Sequence, residues 1–298
     1  MPAASGRALQ VELVPELGAK VTSIRLGSGR EWLAPPLRPL TRPRAPDQDW
    51  ADLDCSGWDE CFPNVAPSRA LDLLDHGDVW RRPWTVRPSD RGILTHISTE
   101  RYRLARRLSV TGARLTAEYQ LHNLGAGRLN WAWAQHPLLA IDTQTRLVLP
   151  APAQVHVDSA FADGAPSGDV DWLCPAGWIA GETNLSAARG HAAKVWFERP
   201  HPALIGVRNG DEWLVWRLLD SSMRDVGLWV NLGGWGRHPL AHLAVEPAFG
   251  AADDPEAAYP RAAPADDWSL AGGQRRTWRV VIEAGRGDAD LADLMALR

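Results

Sequence analysis

A histidine and a glutamate, each followed by a proline at the predicted end of a strand, carry side chains suited to proton transfer. His136 follows the alternating segment Trp131–Gln135, and Glu246 ends the segment His242–Glu246. An imidazole titrates near neutral pH, so it can give or take a proton. A carboxylate held in an apolar setting can act as a base. The alternatives are a hydrogen-bonded structural histidine and a salt bridge between Glu246 and an arginine.

A second candidate region combines a histidine–glycine pair with two arginines. His76 precedes Gly77, a residue that leaves room for a ligand and adopts unusual backbone angles. Arg81 and Arg82 could bind a carboxylate, a phosphate or a sugar hydroxyl through their forked donors. The alternative is a solvated arginine pair beside a core tryptophan, Trp84.

The segment Gly57–Asn64 collects acidic, aromatic and turn-forming residues. It is too polar for a typical buried strand, so we expect a loop in which Asp59 is a candidate ligand-binding side chain. The alternative is a surface turn that Trp58 anchors.

Other chemistries find less support in the sequence. His238, His242 and Glu246 are spaced by four, which would form a ligand face on a helix, but Pro239 and a period of two argue against a helix there. We therefore predict no metal site. Three cysteines are too few for a disulfide framework and lack zinc-type pairing with histidine, which favours reduced thiols in a cytosolic protein; they are Cys55, Cys61 and Cys174. A phosphate-binding glycine loop and a Gly-x-Ser-x-Gly elbow are both missing from the sequence.

The composition limits the possible partners. The 298 residues include 16 tryptophans against 3 tyrosines and 4 phenylalanines, and only Lys20 and Lys194 among the 32 basic residues are lysines. A net charge of −4 argues against nucleic-acid binding. No stretch reaches the roughly 18 apolar residues of a membrane helix, and we recognise no signal peptide. We expect a cytoplasmic protein with no nucleic-acid or membrane partner, and the sequence leaves its oligomeric state open.

The elements that must position these residues are mostly strands. Leu115, Ala117, Tyr119 and Leu121 alternate with polar residues, and similar runs recur along the chain, namely 9–13, 20–26, 93–99, 102–110, 129–135, 194–198, 213–218, 226–231, 242–246 and 276–283. One helix is predicted after Asp288, with Leu291, Leu294 and Leu297 on one face. This pattern predicts a single all-β domain over residues 1–298, folded as a large antiparallel sandwich with few short helices.

In order and spacing, the candidate segments resemble the aldose 1-epimerase family, also called galactose mutarotase-like proteins. The similar segments are Leu17–Ile24, Cys61-Phe62-Pro63, Asp75-His76-Gly77 with Pro83-Trp84, Tyr102–Asn123, Gln135-His136-Pro137 and Val245–Gly250. The resemblance implies a β-sandwich with an open cleft and an enzyme that interconverts sugar anomers without a cofactor. It further implies that Glu246 is the base, that His136 is the acid and that His76 binds sugar oxygens nearby.

The sequence departs from that family at two points. Trp80 occupies the position at which the hexose-phosphate branch usually has an arginine, so Arg81 becomes the candidate substrate-binding arginine. The family's aspartate between the histidine and the glutamate has no clear counterpart, although Asp220 and Asp225 are candidates. Trp229, with Trp80, is expected to contact the sugar, since flat indoles stack on sugar rings, and the alternative for Trp229 is a role in the core.

These observations are compatible with two classes of function. One is an isomerase acting on a free or phosphorylated sugar, for which His136 and Glu246 are expected to face each other across a cleft as wide as a pyranose ring. The other is a protein of the same fold that binds or senses carbohydrate without chemistry. A related lyase or hydrolase would need an additional catalytic tyrosine or a carboxylate pair. The chain has only three tyrosines, Tyr102, Tyr119 and Tyr259, and the first two fall in predicted strands.

Overall fold

A computed structural model describes residues 8–40, 50–149, 154–161, 168–171, 190–200, 203–236, 240–250, 252–256 and 269–288. Its strands, in chain order, are β1 Leu9–Val14, β2 Lys20–Leu26, β3 Trp58–Cys61, β4 Thr85–Ser89, β5 Gly92–Ser98, β6 Tyr102–Thr111, β7 Arg114–Asn123, β8 Leu129–Asn130, β9 Trp133–Ala140, β10 Thr145–Val148, β11 Gln154–Ala160, β12 Gly168–Asp171, β13 His191–Glu198, β14 Leu204–Asn209, β15 Glu212–Arg217, β16 Asp225–Leu232, β17 Ala241–Phe249, β18 Ser269–Leu270 and β19 Arg275–Arg286. Short 3₁₀ turns lie at Pro15–Leu17 and Trp50–Asp52.

Two large antiparallel sheets form the body of the protein. One has nine strands in the order β1-β2-β3-β9-β17-β16-β13-β11-β12, and the other has eight in the order β10-β14-β15-β19-β7-β6-β5-β4. Apolar residues from both sheets join in one buried cluster, as in a β-sandwich. The predicted all-β sandwich is therefore confirmed. Within the described residues, no helix is long and apolar enough to span a membrane.

The alternation seen in the sequence decides which face of each strand is buried. In β7, Leu115, Ala117, Tyr119 and Leu121 are buried between the sheets, while the polar residues between them face outward. Much of the tryptophan excess also belongs to this core, where aromatic rings pack in contact between the sheets; the group is Trp131, Trp133, Trp278, Tyr119 and Phe249.

A buried ion pair lies between the sheets. Arg106 and Glu60 are both fully buried, and Arg106 Nη1 donates to Glu60 Oε1 over 2.8 Å. Tyr119 donates to the same oxygen over 2.9 Å, and Trp133 Nε1 donates to Oε2 over 2.8 Å. Gln135 extends the network by donating to the Tyr119 hydroxyl. The network therefore reaches β9 at Trp133 and at Gln135, the residue that immediately precedes His136.

The prediction of a loop at Gly57–Asn64 was wrong for its central part. Trp58–Cys61 form the buried strand β3, paired with β9. Polar residues enter the interior here because each is paired, Glu60 with Arg106 and Asp59 with Lys20. The predicted helix over residues 291–297 lies outside the described residues, as do Cys174, His238 and Tyr259.

Candidate active site

A row of side chains crosses the nine-stranded sheet at right angles to its strands. Strand registers pair Asp59 with His136, Glu246 with Gly227, and Gly227 with Trp196. Strands β9 and β17 pair Ala134 with Ala248 and Leu138 with Ala244, which puts His136 opposite Glu246. Directly opposite residues of antiparallel strands share one face of a sheet. The register alone therefore brings His136 and Glu246 together from positions 110 apart in sequence.

An open cavity of about 150 Å³ lies over this row. His136, Glu246 and Lys194 line it from the sheet, and His76 and Asp75 line it from the loop before β4. Its aromatic lining consists of Trp50, Phe161, Trp229 and Trp235. Sites that bind small molecules combine such an apolar wall with a few convergent polar groups.

His136 and Glu246 lie side by side, which corrects the expectation that they face each other across a cleft. His136 Nε2 lies 3.8 Å from Glu246 Oε1, and no pyranose ring fits between them. Their side chains are only 6% and 0% exposed, respectively. The reason is the register: opposite residues on adjacent strands point the same way, so both form the floor of the cavity.

Glu246 forms a buried ion pair with Lys194, whereas the alternative drawn from the sequence was a salt bridge with an arginine. Lys194 Nζ donates a hydrogen bond to Glu246 Oε2 and lies 3.3 Å from Asp253 Oδ1. Glu246 Oε1 has no hydrogen-bond partner among the described residues. Burial raises the pKa of Glu246 and outweighs the opposing effect of Lys194. Burial works against the charge of Lys194, but Asp253 and Glu246 together raise its pKa, so the ammonium stays charged.

The pKa values of the two cavity histidines shift in opposite directions. Burial alone would lower the pKa of His76, but Asp75, whose Oδ1 lies 3.0 Å from His76 Nδ1, raises it above its ordinary value. The pKa of His136 is well below its ordinary value because of burial and then the positive charges of His76 and Lys194. Near neutral pH, His76 is therefore the histidine that favours the charged form, and His136 is neutral.

Trp50 fixes the arrangement of these two rings. Its indole stacks on His76, with ring centroids 4.9 Å apart and 16° between the planes, and meets His136 edge-on at 5.1 Å. The rings of His76 and His136 are 4.8 Å apart. His76 and Gly77 both have positive φ angles, 57° and 71°. Gly77 makes room for the protein rather than for a ligand, because a Cβ there would lie 1.9 Å from the carbonyl oxygen of Phe62.

Of the predicted sugar-binding residues, His76 and Trp229 line the cavity. Trp229 donates from Nε1 to His242 Nε2 over 2.9 Å and meets Trp235 edge-on at 5.5 Å. Both tryptophans are half-buried, so each leaves part of its indole surface open to the cavity. Trp229 is therefore a wall residue rather than a core filler.

The other three predicted binding residues are not part of the described lining of the cavity. Asp59 is 1% exposed, and its Oδ2 accepts hydrogen bonds from Lys20 Nζ over 2.7 Å and from Trp50 Nε1 over 3.3 Å. Trp80 is buried and donates to the carbonyl of Asp75, and the guanidinium of Arg81 lies 4.5 Å from the centre of the Trp80 ring. The ion pair and the ring contact hold these side chains outside the described lining of the cavity, so direct contacts of Asp59, Trp80 and Arg81 with a sugar stay a prediction.

Neither candidate for the unplaced aspartate lines the cavity among the described residues. Asp220 accepts hydrogen bonds from Ser222, and Asp225 begins β16 opposite Ala248. The aspartates that line the cavity are Asp75 and Asp253. The rarity of lysine in the sequence could have drawn attention to Lys194, because it is one of only two lysines beside 30 arginines.

Acid pH is expected to destabilise the wall of the cavity through His242. This residue is 1% exposed and accepts the hydrogen bond from Trp229, and burial lowers its pKa to about 4. The pKa of this histidine in the unfolded chain is about 6.5, so as pH falls the unfolded chain binds the proton before the folded protein does. The stabilising contribution of neutral His242 is therefore fully present above pH ~6.5 and is lost as pH falls towards 4. A shift of this size corresponds to ~3 kcal/mol.

The measurement is urea unfolding of wild type and His242→Gln at several pH values. We expect the free energy of unfolding of the variant to fall by ~3 kcal/mol less than that of wild type between pH 6.5 and 4. His122→Gln, on the outer face of β7, is the control and should follow wild type. Identical pH slopes for wild type and His242→Gln would contradict the prediction.

The sequence matches no protein-family model and no curated protein. Solved structures match over almost the whole chain. A putative aldose 1-epimerase from Escherichia coli K12 is 14% identical with a TM-score of 0.69, covering 93% of this chain and 96% of that one. One from Klebsiella pneumoniae is 13% identical with a TM-score of 0.70, covering 96% and 79%. An aldose epimerase homologue from C. elegans is 14% identical with a TM-score of 0.61, covering 97% and 98%. The chain therefore has the galactose mutarotase-like fold.

Proposed function

We propose that this protein is an aldose 1-epimerase-like isomerase that interconverts the anomers of a neutral sugar. The observation that carries the proposal is the convergence of His76, His136 and Glu246 on one open cavity with tryptophan walls. Support also comes from the fold, which is shared with putative aldose 1-epimerases. All three side chains were selected from the sequence as candidates for this chemistry.

Ring opening needs a base and an acid close together, because the C1 hydroxyl and the ring oxygen are bonded to the same carbon. Glu246 Oε1 takes the hydroxyl proton, the C1 carbonyl forms, and the bond from C1 to the ring oxygen breaks with its electron pair moving to that oxygen. A histidine supplies the proton that this oxygen needs. Rotation about the C1–C2 bond presents the other face of the aldehyde, and the same transfers run in reverse. The convergence of both histidines and Glu246 on one cavity suits this exchange.

The pKa directions suggest a different division of work between the histidines from that implied by family resemblance. His76 has the raised pKa, so of the two histidines it is the one that more readily carries a transferable proton. His136, whose pKa is well below its ordinary value, is suited to binding a sugar oxygen as a neutral imidazole. We assign the acid role to His76 and the base role to Glu246.

A neutral substrate fits the charges of the cavity. Among its described lining residues, the carboxylates of Asp75, Glu246 and Asp253 outnumber the charged groups of Lys194 and His76. Both cations already lie beside carboxylates. Arg81, the residue expected to bind a phosphate, packs on Trp80 instead. A phosphate in this cavity would face carboxylates without an unpaired cation.

The test compares anomer exchange for α-glucose, α-galactose and glucose 6-phosphate by NMR exchange spectroscopy, with polarimetry of freshly dissolved α-sugars as a second readout. We expect the protein to accelerate exchange of at least one neutral sugar and to act more weakly on the phosphate. Acceleration of the phosphate alone would refute the substrate class.

A second candidate function is carbohydrate binding without catalysis. It is favoured by one observation, the complete burial of Glu246 in an ion pair with Lys194. Sugar binding in calorimetry without any acceleration of anomer exchange would select this function over the isomerase.

A further inference from the structure

Lys194 reaches Glu246 across an intervening strand. Lys194 belongs to β13 and Glu246 to β17, and β16 lies between these two strands. Gly227 of β16 pairs with Glu246 on one side and with Trp196 on the other. A Cβ at Gly227 would lie 3.1 Å from Lys194 Cε and 3.2 Å from its Nζ. The missing side chain therefore opens the path along which the ammonium crosses β16.

Position 194 has a lysine, whereas nearly all other basic positions of the chain have an arginine. The protein uses arginine at 30 of its 32 basic positions, and a guanidinium is a broad planar fork. The ammonium of Lys194 is compact enough to lie over Gly227, between Glu246 and Asp253, and 4.7 Å from the centre of the Trp196 ring. Its side chain is 4% exposed. A cation buried to this degree is costly unless carboxylates compensate it, and two of them do.

The two oxygens of Glu246 have different environments as a result. Oε2 accepts the hydrogen bond from Lys194, while Oε1 has no partner among the described residues and faces His136. We propose that Lys194 is a positioning residue that binds Oε2, keeps the carboxylate charged, and leaves Oε1 as the atom that accepts the proton. The inference rests on the proposed function, because it assigns Lys194 a role in the base chemistry of Glu246.

The first experiment measures the pH dependence of anomer exchange in wild type and Lys194→Met. Removing an opposite charge in contact with a carboxylate raises its pKa by about 1–3 units. The acidic limb of the rate profile should therefore move up by about 1–3 pH units in Lys194→Met. An unchanged acidic limb would overturn the proposal. Gly227→Ala displaces the ammonium without removing its charge, so a shift in the same direction is expected and provides a second test if Lys194→Met folds poorly.

The chain offers a matched control in its only other lysine. Lys20 is also buried, and it forms ion pairs with Asp54 at 2.9 Å and with Asp59 at 2.7 Å. Lys20→Met makes the same chemical change at a lysine that is not part of the described lining of the cavity. It should leave the acidic limb in place, whatever it does to sugar affinity through Trp50. A shift of equal size in both variants would mean that lost stability, and not contact with Glu246, causes the effect.

A second experiment needs no activity. In Lys194→Met, the carboxylate of Glu246 is buried without its lysine, so its folded-state pKa exceeds its unfolded value and stability is lost as pH rises through the folded value. Lys194→Met should therefore lose more stability with rising pH, relative to Lys194→Met/Glu246→Gln, than wild type loses relative to Glu246→Gln. Equal losses in the two pairs would overturn the proposal. If wild type accelerates no aldose, the proposed function fails, while these curves still decide whether Lys194 controls the charge of Glu246.

Discussion

Glu246→Gln is expected to slow anomer exchange by about 10²–10⁴-fold, the usual contribution of a positioned general base. Glutamine has nearly the same shape and can still accept a hydrogen bond from Lys194 through its side-chain oxygen. It cannot take a proton from the C1 hydroxyl. The loss should therefore appear mainly in kcat, measured by NMR exchange spectroscopy with the neutral sugar that wild type processes fastest.

Glu118→Gln is the control for that substitution. Glu118 is an exposed carboxylate on the outer face of β7, in the other sheet, and it lies outside the cavity. This variant should retain the wild-type rate. A Glu246→Gln protein that unfolds like wild type and keeps the wild-type rate would remove Glu246 from the mechanism.

Arg106→Met is expected to cause the largest loss of stability, about 3–5 kcal/mol in the free energy of unfolding. Arg106 and Glu60 are both fully buried between the sheets, so the substitution leaves a carboxylate without its cation in the core. Burial already raises the pKa of Glu60 despite the opposing charge of Arg106, which shows how strongly the surroundings disfavour the ionised form. Urea unfolding at neutral pH measures the effect.

The adjacent arginine provides the matched control. Arg107 lies on the opposite face of β6 and forms a partly exposed ion pair with Glu118 at 3.3 Å. Such surface pairs contribute about 0–1 kcal/mol, so Arg107→Met should change stability little. Equal losses of unfolding free energy in Arg106→Met and Arg107→Met would show that the buried ion pair stabilises the fold no more than the surface pair does.

The period of two in the sequence was sufficient to predict most strands and the class of the fold. Strand β7 was predicted because its alternation reflects one buried and one outer face. Strand β3 was missed for the opposite reason. Its polar residues Asp59 and Glu60 are buried, and each is compensated by a basic residue that is distant in sequence.

The candidate site was predictable as a set of residues but not as a geometry. His76, His136 and Glu246 lie beside recognisable glycine and proline signals, and all three line the cavity. Their mutual placement depends on strand registers, and the sequence gives no direct measure of pairing between strands so far apart. The role proposed for Lys194 depends on Gly227, since a Cβ at that position would crowd the end of the lysine side chain.

The two lysines also determine how the folded protein responds to reagents and proteases that act on lysine. Lys20 and Lys194 are the only lysine side chains in the chain, and they are 4% and 3% exposed. Acylating reagents need an uncharged, accessible amine, whereas both ammonium groups are enclosed with carboxylates and have raised pKa values. In the closed sheet, neither lysine is therefore open to acetylation, cross-linking or cleavage by a lysine-specific protease. Lysine reactivity in this protein reports the opening of the nine-stranded sheet.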